Sequence, residues 1–376
     1  MRFGTKLEVR LDYLAQNFNL LRSNYLGNQE IIFMVKANAY GHGLVPITEF
    51  AKSELQVKEF GVATLGEALE LYKANPGFDS KIIIFSDHGI GNPDLLAYYT
   101  SLSMIPIHSD IESLQIFLNH KMFRNFPLYL KFNTGMNRLG LNYEDLEQII
   151  ILIKKSGRKN ITHLMSHFAC SYLKHNKQPL TEQQYKKFML IKKELRAAGL
   201  EIEETSMANS GAIETRFALN ESHVRPGLML YGPSSLMYKS SDPWQGKIIS
   251  ELKAKIISKR AVKKGDVVGY GASHVPADGV VVALAIGYGD GWSTHMRGIN
   301  YTYEKQKGVS LGRVNMDLTT VFFEGATLNN FKVGSKISLW DDSQSRILNL
   351  SSQSGSIPYE LFSGLNVRLP RKYVLE

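Results

Sequence analysis

The sequence runs to 376 residues, room for one barrel-sized unit plus an appendage or for two medium domains. With 44% hydrophobic and 21% charged residues and no low-complexity tract, it excludes the disordered and fibrous classes. The formal net charge of +9 is scattered along the chain instead of gathered into an arm or a binding motif, which argues against a nucleic-acid partner and leaves a long-range pull on anionic substrates or cofactors.

The start, Met1-Arg2-Phe3-Gly4-Thr5-Lys6-Leu7-Glu8, has no apolar core of a secretory signal, and no uncharged run is long enough to cross a bilayer, so no membrane is expected and the cytoplasm is the expected compartment. A single cysteine, Cys170, cannot form an internal disulfide and reads as a small buried hydrophobe.

From about residue 30 to 230, β-branched or apolar runs alternate with amphipathic stretches, as expected of parallel strands joined by crossover helices. The runs fall at 31–36, 60–64, 81–85, 104–107, 128–132, 161–167, 204–208 and 223–225. Between the sixth and seventh, Thr181 and Gln184 read as a capping box, Tyr185, Phe188, Met189 and Leu195 as one apolar face, and Gly199 as the stop. Eight units over this length predict a (β/α)8 barrel, whose chemistry gathers at the C-terminal ends of its strands. After about residue 240, Gly-centred turns and strand-like runs at 279–286 and 318–323 predict a mostly-β domain. The expected division is 1–240 for the barrel and 241–376 for the β domain, with a short strand at 6–10 able to pair with the latter. No internal repeat beyond the barrel units is visible, and no metal-ligand spacing stands out.

The stretch Met34-Val35-Lys36-Ala37-Asn38-Ala39-Tyr40-Gly41-His42-Gly43 closes an apolar strand with a lysine and follows it with glycines. A lysine at a barrel strand end, its pKa lowered by desolvation and nearby cations, could form a Schiff base with a carbonyl compound; from position alone, a lysine reaching to the rim is the commoner outcome. This segment resembles the cofactor-lysine signature of the alanine racemases, a family of pyridoxal-phosphate enzymes. Further segments resemble the same family in its order. They are residues 131–140 (Lys-Phe-Asn-Thr-Gly-Met-Asn-Arg-Leu-Gly), 166–169 (Ser-His-Phe-Ala), 208–210 (Ala-Asn-Ser), 225–232 (Arg-Pro-Gly-Leu-Met-Leu-Tyr-Gly), 269–272 (Gly-Tyr-Gly-Ala), 286–291 (Ile-Gly-Tyr-Gly-Asp-Gly), 312–317 (Gly-Arg-Val-Asn-Met-Asp) and 358–361 (Pro-Tyr-Glu-Leu). The resemblance spans essentially the whole chain.

It implies pyridoxal 5'-phosphate carried by Lys36, with Lys36 also the base on one face of the substrate α-carbon and Tyr270 the base on the other. Two bases suit a reaction that removes a proton from one face and returns it on the opposite one. The resemblance further implies a homodimer with shared active sites, in which the partner supplies Tyr270. A free tyrosine has a pKa of about 10, so a basic Tyr270 needs cations beside it, and Arg138 and Lys36 are the candidates.

Arg225 resembles the arginine facing the pyridine nitrogen; a guanidinium only donates, so that nitrogen stays unprotonated and side reactions are restrained. Tyr40, Ser210, Gly227, Leu228 and Tyr359 correspond to the phosphate site, although Ser210 after Asn209 could equally be a helix N-cap. His167 would support Arg225 or flank the ring. Arg138 is implied at the cofactor's phenolic oxygen and the substrate carboxylate, and Lys131 matches a lysine that some relatives carbamylate. Met316, Asp317 and Tyr288 resemble residues at the substrate entrance.

Several positions depart from the family pattern: Asn133, Asn315, Ser171-Tyr172 and Trp292, which bear on entrance shape and substrate breadth. The sequence therefore predicts an alanine racemase supplying D-alanine for peptidoglycan. A broader racemase that also accepts serine, and an amino-acid decarboxylase of the same fold, stay open, as does a non-catalytic cofactor carrier. Arg225 and Tyr270 weigh against the decarboxylase, and the extra β domain weighs against the carrier.

Overall fold

The computed structural model describes residues 5–174 and 179–375. Eight strands close into a parallel barrel: β2 (Glu30–Met34), β3 (Glu59–Thr64), β4 (Lys81–Asp87), β5 (Met104–His108), β6 (Tyr129–Lys131), β7 (Asn160–Met165), β8 (Glu201–Asn209) and β9 (His223–Arg225). Both faces of these strands are covered, which explains runs such as Ile82-Ile83-Ile84 in β4, where each side chain is at most 1% exposed. Within such a run alternation cannot fix the register, whereas the start of β8 keeps it, with Ile202 buried between the exposed Glu201 and Glu203.

The remaining strands build a second layer. β1 (Lys6–Arg10), β10 (Ser250–Val262), β13 (Gly279–Leu284), β14 (Asn300–Tyr303), β15 (Gln306–Ser310), β16 (Thr319–Glu324), β17 (Lys336–Trp340) and β18 (Arg371–Val374) form one sheet in the order β14-β15-β16-β13-β10-β1-β18, with β17 also on β10; β11 (Val267–Val268) and β12 (Ser273–His274) form a separate hairpin. β1 runs antiparallel to β10, Leu7 opposite Leu252, and parallel to β18, Leu7 opposite Arg371. One continuous hydrophobic core joins barrel and sheet.

The expected capping box at Thr181 and Gln184 does not form. The helix begins at Leu180 with Pro179 as its cap, so both residues lie inside it and both are buried. Gln184 instead uses its amide across helix and barrel: its Oε1 accepts from the Ala169 N–H at 2.9 Å and its Nε2 donates to the His167 carbonyl at 3.0 Å. Met189 is 42% exposed, and Ile191 takes the place expected for it among the buried residues Phe188, Ile191 and Leu195. A capping box does form at Thr64 and Glu67, opening the helix Leu65–Ala74.

Candidate active site

Lys36 stands two residues past β2, where the chain enters a left-handed turn. Ala37, Asn38, Ala39 and Tyr40 all have φ between +51° and +56°, a conformation that costs an L-residue about 1–2 kcal/mol each. Contacts from distant parts of the chain hold it. The Glu67 carboxylate accepts from the Ala37 N–H at 2.6 Å and from the Ala63 N–H at 2.7 Å, tying the turn to the end of β3. Asn38 Oδ1 accepts from the Leu44 N–H at 2.8 Å. From the β domain, Arg371 donates twice to the Gly41 carbonyl and the Tyr373 hydroxyl donates to the His42 carbonyl at 2.9 Å. Gly41, at φ +81°, has no room for a side chain, because a Cβ would lie 2.0 Å from the Phe362 carbonyl oxygen.

Other strand ends converge on the same cavity. Lys131 closes β6, Asn209 closes β8 and caps the short helix Ser210–Glu214, and Arg225 closes β9. Asn209 rather than Ser210 is the cap, which leaves the Ser210 hydroxyl to accept from the Gly227 N–H at 2.9 Å. The lining includes Lys36, Tyr40, Lys131, Arg138, His167, Ser210, Arg225, Gly227 and Tyr359, four of them cations, and no carboxylate among the described residues. Leu228, fully buried, follows Gly227 without lining the cavity.

Crowded positive charge shows in the ionisation of these groups. Burial first, then Arg138, lowers the Lys36 ammonium, with Glu67 opposing. Burial, then Arg225, brings Lys131 down to about 8. Arg225 is 4% exposed, and burial lowers it to about 10. Its guanidinium donates to the Ser206 hydroxyl and to the Ser166 and Met207 carbonyls, and one nitrogen lies 3.5 Å from His167 Nδ1. Burial, then Arg225, holds His167 well below its ordinary value, so its imidazole is neutral.

Asn133 organises the loop that carries Arg138: its Oδ1 accepts from the Gly135 and Asn137 N–H groups at 3.1 and 3.0 Å, a task that a carboxylate would also do. Ser171 donates to Asn209 Oδ1 at 2.6 Å. Trp292 is fully buried beside Trp340, so it shapes core and not an open entrance.

Tyr270, Tyr288, Met316 and Asp317 stand elsewhere, outside the lining of this cavity. Tyr270 is 72% exposed, on the β11–β12 hairpin between Gly269 and Gly271, both at positive φ. Met316 and Tyr288 are also exposed, and Asp317 pairs with Arg368 at 2.7 Å. Glu67 belongs to the site without matching any of the family-like segments, and its one signal in the sequence is the capping-box spacing Thr64-x-x-Glu67.

A cavity with four cations, no acid and an arginine offering only donors fits a compound bearing a phosphate and a phenolate oxygen. Residues 9–235 match the alanine racemase N-terminal domain and residues 249–373 the alanine racemase C-terminal domain. The chain belongs to the alanine racemase family. It is accordingly a pyridoxal-phosphate-dependent racemase. Among its relatives, the alanine racemase of Alcanivorax borkumensis is 30% identical, with 99% of each chain covered, and that of Hahella chejuensis is 29% identical, with 97% of this chain and 96% of the relative covered. The biosynthetic alanine racemase of Pseudomonas aeruginosa superposes with a TM-score of 0.84 at 29% identity over 100% of both chains. This architecture accounts for the racemase-type barrel and its β domain together. No helix among the described residues is long and apolar enough to cross a membrane.

Proposed function

We propose that the chain interconverts L- and D-alanine with Lys36 and Tyr270 as its two proton carriers, Tyr270 coming from the partner subunit of a homodimer. The acid-free cationic cavity around Lys36 is the observation that carries this reading. When bound, pyridoxal phosphate supplies the electron sink that makes the α-proton of the amino acid removable. Lys36 anchors it, and its lowered pKa favours the free amine that takes up a proton. Tyr40, Ser210, Tyr359 and the N–H groups of Gly227 and Leu228 bind its phosphate. Arg225 faces the pyridine nitrogen and His167 steadies Arg225. An arginine with donors only disfavours the decarboxylase reading.

Arg138 is proposed to bind the phenolic oxygen and the substrate carboxylate. Lys131, brought down to about 8, is proposed as the carbamylated residue: its free amine adds carbon dioxide, releases a proton and gains a negative charge against Arg138. The exposure of Tyr270, Met316 and Tyr288 supports their placement at an interface, where Met316 and Asp317 of one copy close the entrance of the other. The product is read as D-alanine for peptidoglycan, made in the cytoplasm.

A chiral assay of purified, cofactor-loaded protein against a panel of L-amino acids tests the activity. D-alanine is expected, and its absence overturns the reading. Mixing Lys36→Ala with Tyr270→Phe subunits should restore activity; inactive, verified heterodimers would refute the shared site.

A further inference from the structure

At the opposite end of the barrel from Lys36, the strands bring a second cluster together. His163 on β7 faces Glu204 on β8, its Nδ1 3.1 Å from Glu204 Oε2. His223 on β9 points its Nε2 at the same place, 4.0 Å from Glu204 Oε2 and 3.5 Å from Glu59 Oε2 on β3. The candidate donor atoms of His163, Glu204 and His223 all lie within 4.8 Å of one another. Glu59 is 7% exposed, and its Oε2 is buried without a hydrogen-bond partner.

We infer that His163, Glu204, His223 and Glu59 form a binding site for a divalent transition-metal ion, zinc best among them, on the floor of the barrel. Tetrahedral zinc with bonds of about 2.0–2.1 Å needs donor atoms roughly 3.3 Å apart. The separations of 3.1 Å (His163–Glu204), 3.5 Å (His223–Glu59) and 4.0 Å (His223–Glu204) lie near that, and Glu59, which stands outside the group whose donors all fall within 4.8 Å, completes the set by swinging its Oε2 inward past His223. Two imidazole nitrogens with two carboxylate oxygens suit zinc, whereas magnesium and calcium prefer oxygen donors throughout.

Surrounding groups orient the donors as metal sites require. His223 Nδ1 lies 2.8 Å from Ser222 Oγ, and His163 Nε2 lies 2.7 Å from Ser206 Oγ, so each ring has one nitrogen held by a serine and the other turned to the cluster. Lys81 takes the outer carboxylate oxygens, 2.7 Å from Glu59 Oε1 and 3.5 Å from Glu204 Oε1, which leaves Glu59 Oε2 without a hydrogen-bond partner, while Glu204 Oε2 also accepts from the Tyr129 hydroxyl at 3.5 Å. Lys81 is thus the ammonium that pairs with both carboxylates. A cleft of about 250 Å³ lined by Arg22, Glu59, Glu204 and His223 gives a path from solvent.

Ser206 links this floor to the cofactor end, since its hydroxyl also accepts from Arg225. With the ion present, His163 gives its Nδ1 lone pair to the metal and its Nε2–H to Ser206. In the ion's absence the proton sits on Nδ1 toward Glu204, and Ser206 donates to Nε2.

The test is a titration of untagged, chelator-treated, cofactor-loaded protein with zinc chloride, followed by metal analysis after dialysis. One zinc per chain is expected, with a raised unfolding midpoint. His223→Gln and Glu59→Gln should each weaken binding roughly 100-fold and Ser222→Ala about 10-fold, while the surface variant His120→Gln keeps it. Ser222→Ala leaves all four donors in place, so it reports even where a ligand variant fails to fold. No zinc retained by the parent protein after incubation with about 100 equivalents overturns the site. Equal retention by the parent and the His223 or Ser222 variants overturns it as well.

Discussion

Removing the carboxylate of Glu67 should loosen the lysine turn more than it loosens the barrel. Four consecutive residues at positive φ store on the order of 4–8 kcal/mol of backbone strain, and Glu67 bridges that turn to the next strand. Each hydrogen bond to a charged acceptor contributes about 1.5–3 kcal/mol when shielded. The Ala37 end is exposed, so water replaces part of the loss, and Glu67→Ala is expected to cost about 2–3 kcal/mol, including the lost cap. Urea unfolding followed by circular dichroism measures it, and the visible absorbance of bound cofactor measures the turn. Glu67 also raises the Lys36 pKa, so the variant's Lys36 should deprotonate at lower pH than the parent's. Glu67→Gln, which retains one acceptor, should lie between parent and Ala. A loss under about 0.5 kcal/mol, with cofactor affinity unchanged, would show that the turn is held without Glu67.

Lys36→Ala should abolish the visible band of covalently held cofactor, read by spectrophotometry; an undiminished band would remove the anchor assignment. Gly41→Ala should destabilise by about 3 kcal/mol or more in thermal unfolding, since it combines a positive φ with backbone overlap at Phe362. Lys131 titrates near 8 in the fold against 10.5 free, so the unfolded chain binds more protons between those values and stability of the cofactor-free protein rises with pH across that window. The rise is on the order of 3 kcal/mol in carbon-dioxide-free buffer, and Lys131→Met should flatten it.

The barrel was legible because strands buried on both sides leave unbroken apolar runs: β9 matches the run at 223–225, and β4 starts where the run at 81–85 starts. The turn after Lys36 was not. Lys-Ala-Asn-Ala-Tyr contains no glycine, and its conformation is imposed by Glu67, Arg371 and Tyr373, residues 30 to more than 330 positions away. Thr181 and Gln184 carried the same local signature as Thr64 and Glu67, yet tertiary contacts to His167 and Ala169 recruited Gln184 into the core. His163, Glu204 and His223 each sat inside a recognised run, where a lone polar residue reads as a satisfied core group. Only the lateral register of β7, β8 and β9 makes them neighbours.

The position of β1 bears on how the chain is made. Its slot lies between β10 and β18, so a segment that leaves the ribosome early waits for partners synthesised some 240 and 365 residues later. The barrel can close around its own strands during that interval, but the outer sheet cannot finish until synthesis has passed Val374. Deleting the first ten residues should therefore harm assembly of the distal sheet first, and excising residues 249–373 as a free-standing piece would expose an unzipped edge prone to aggregation.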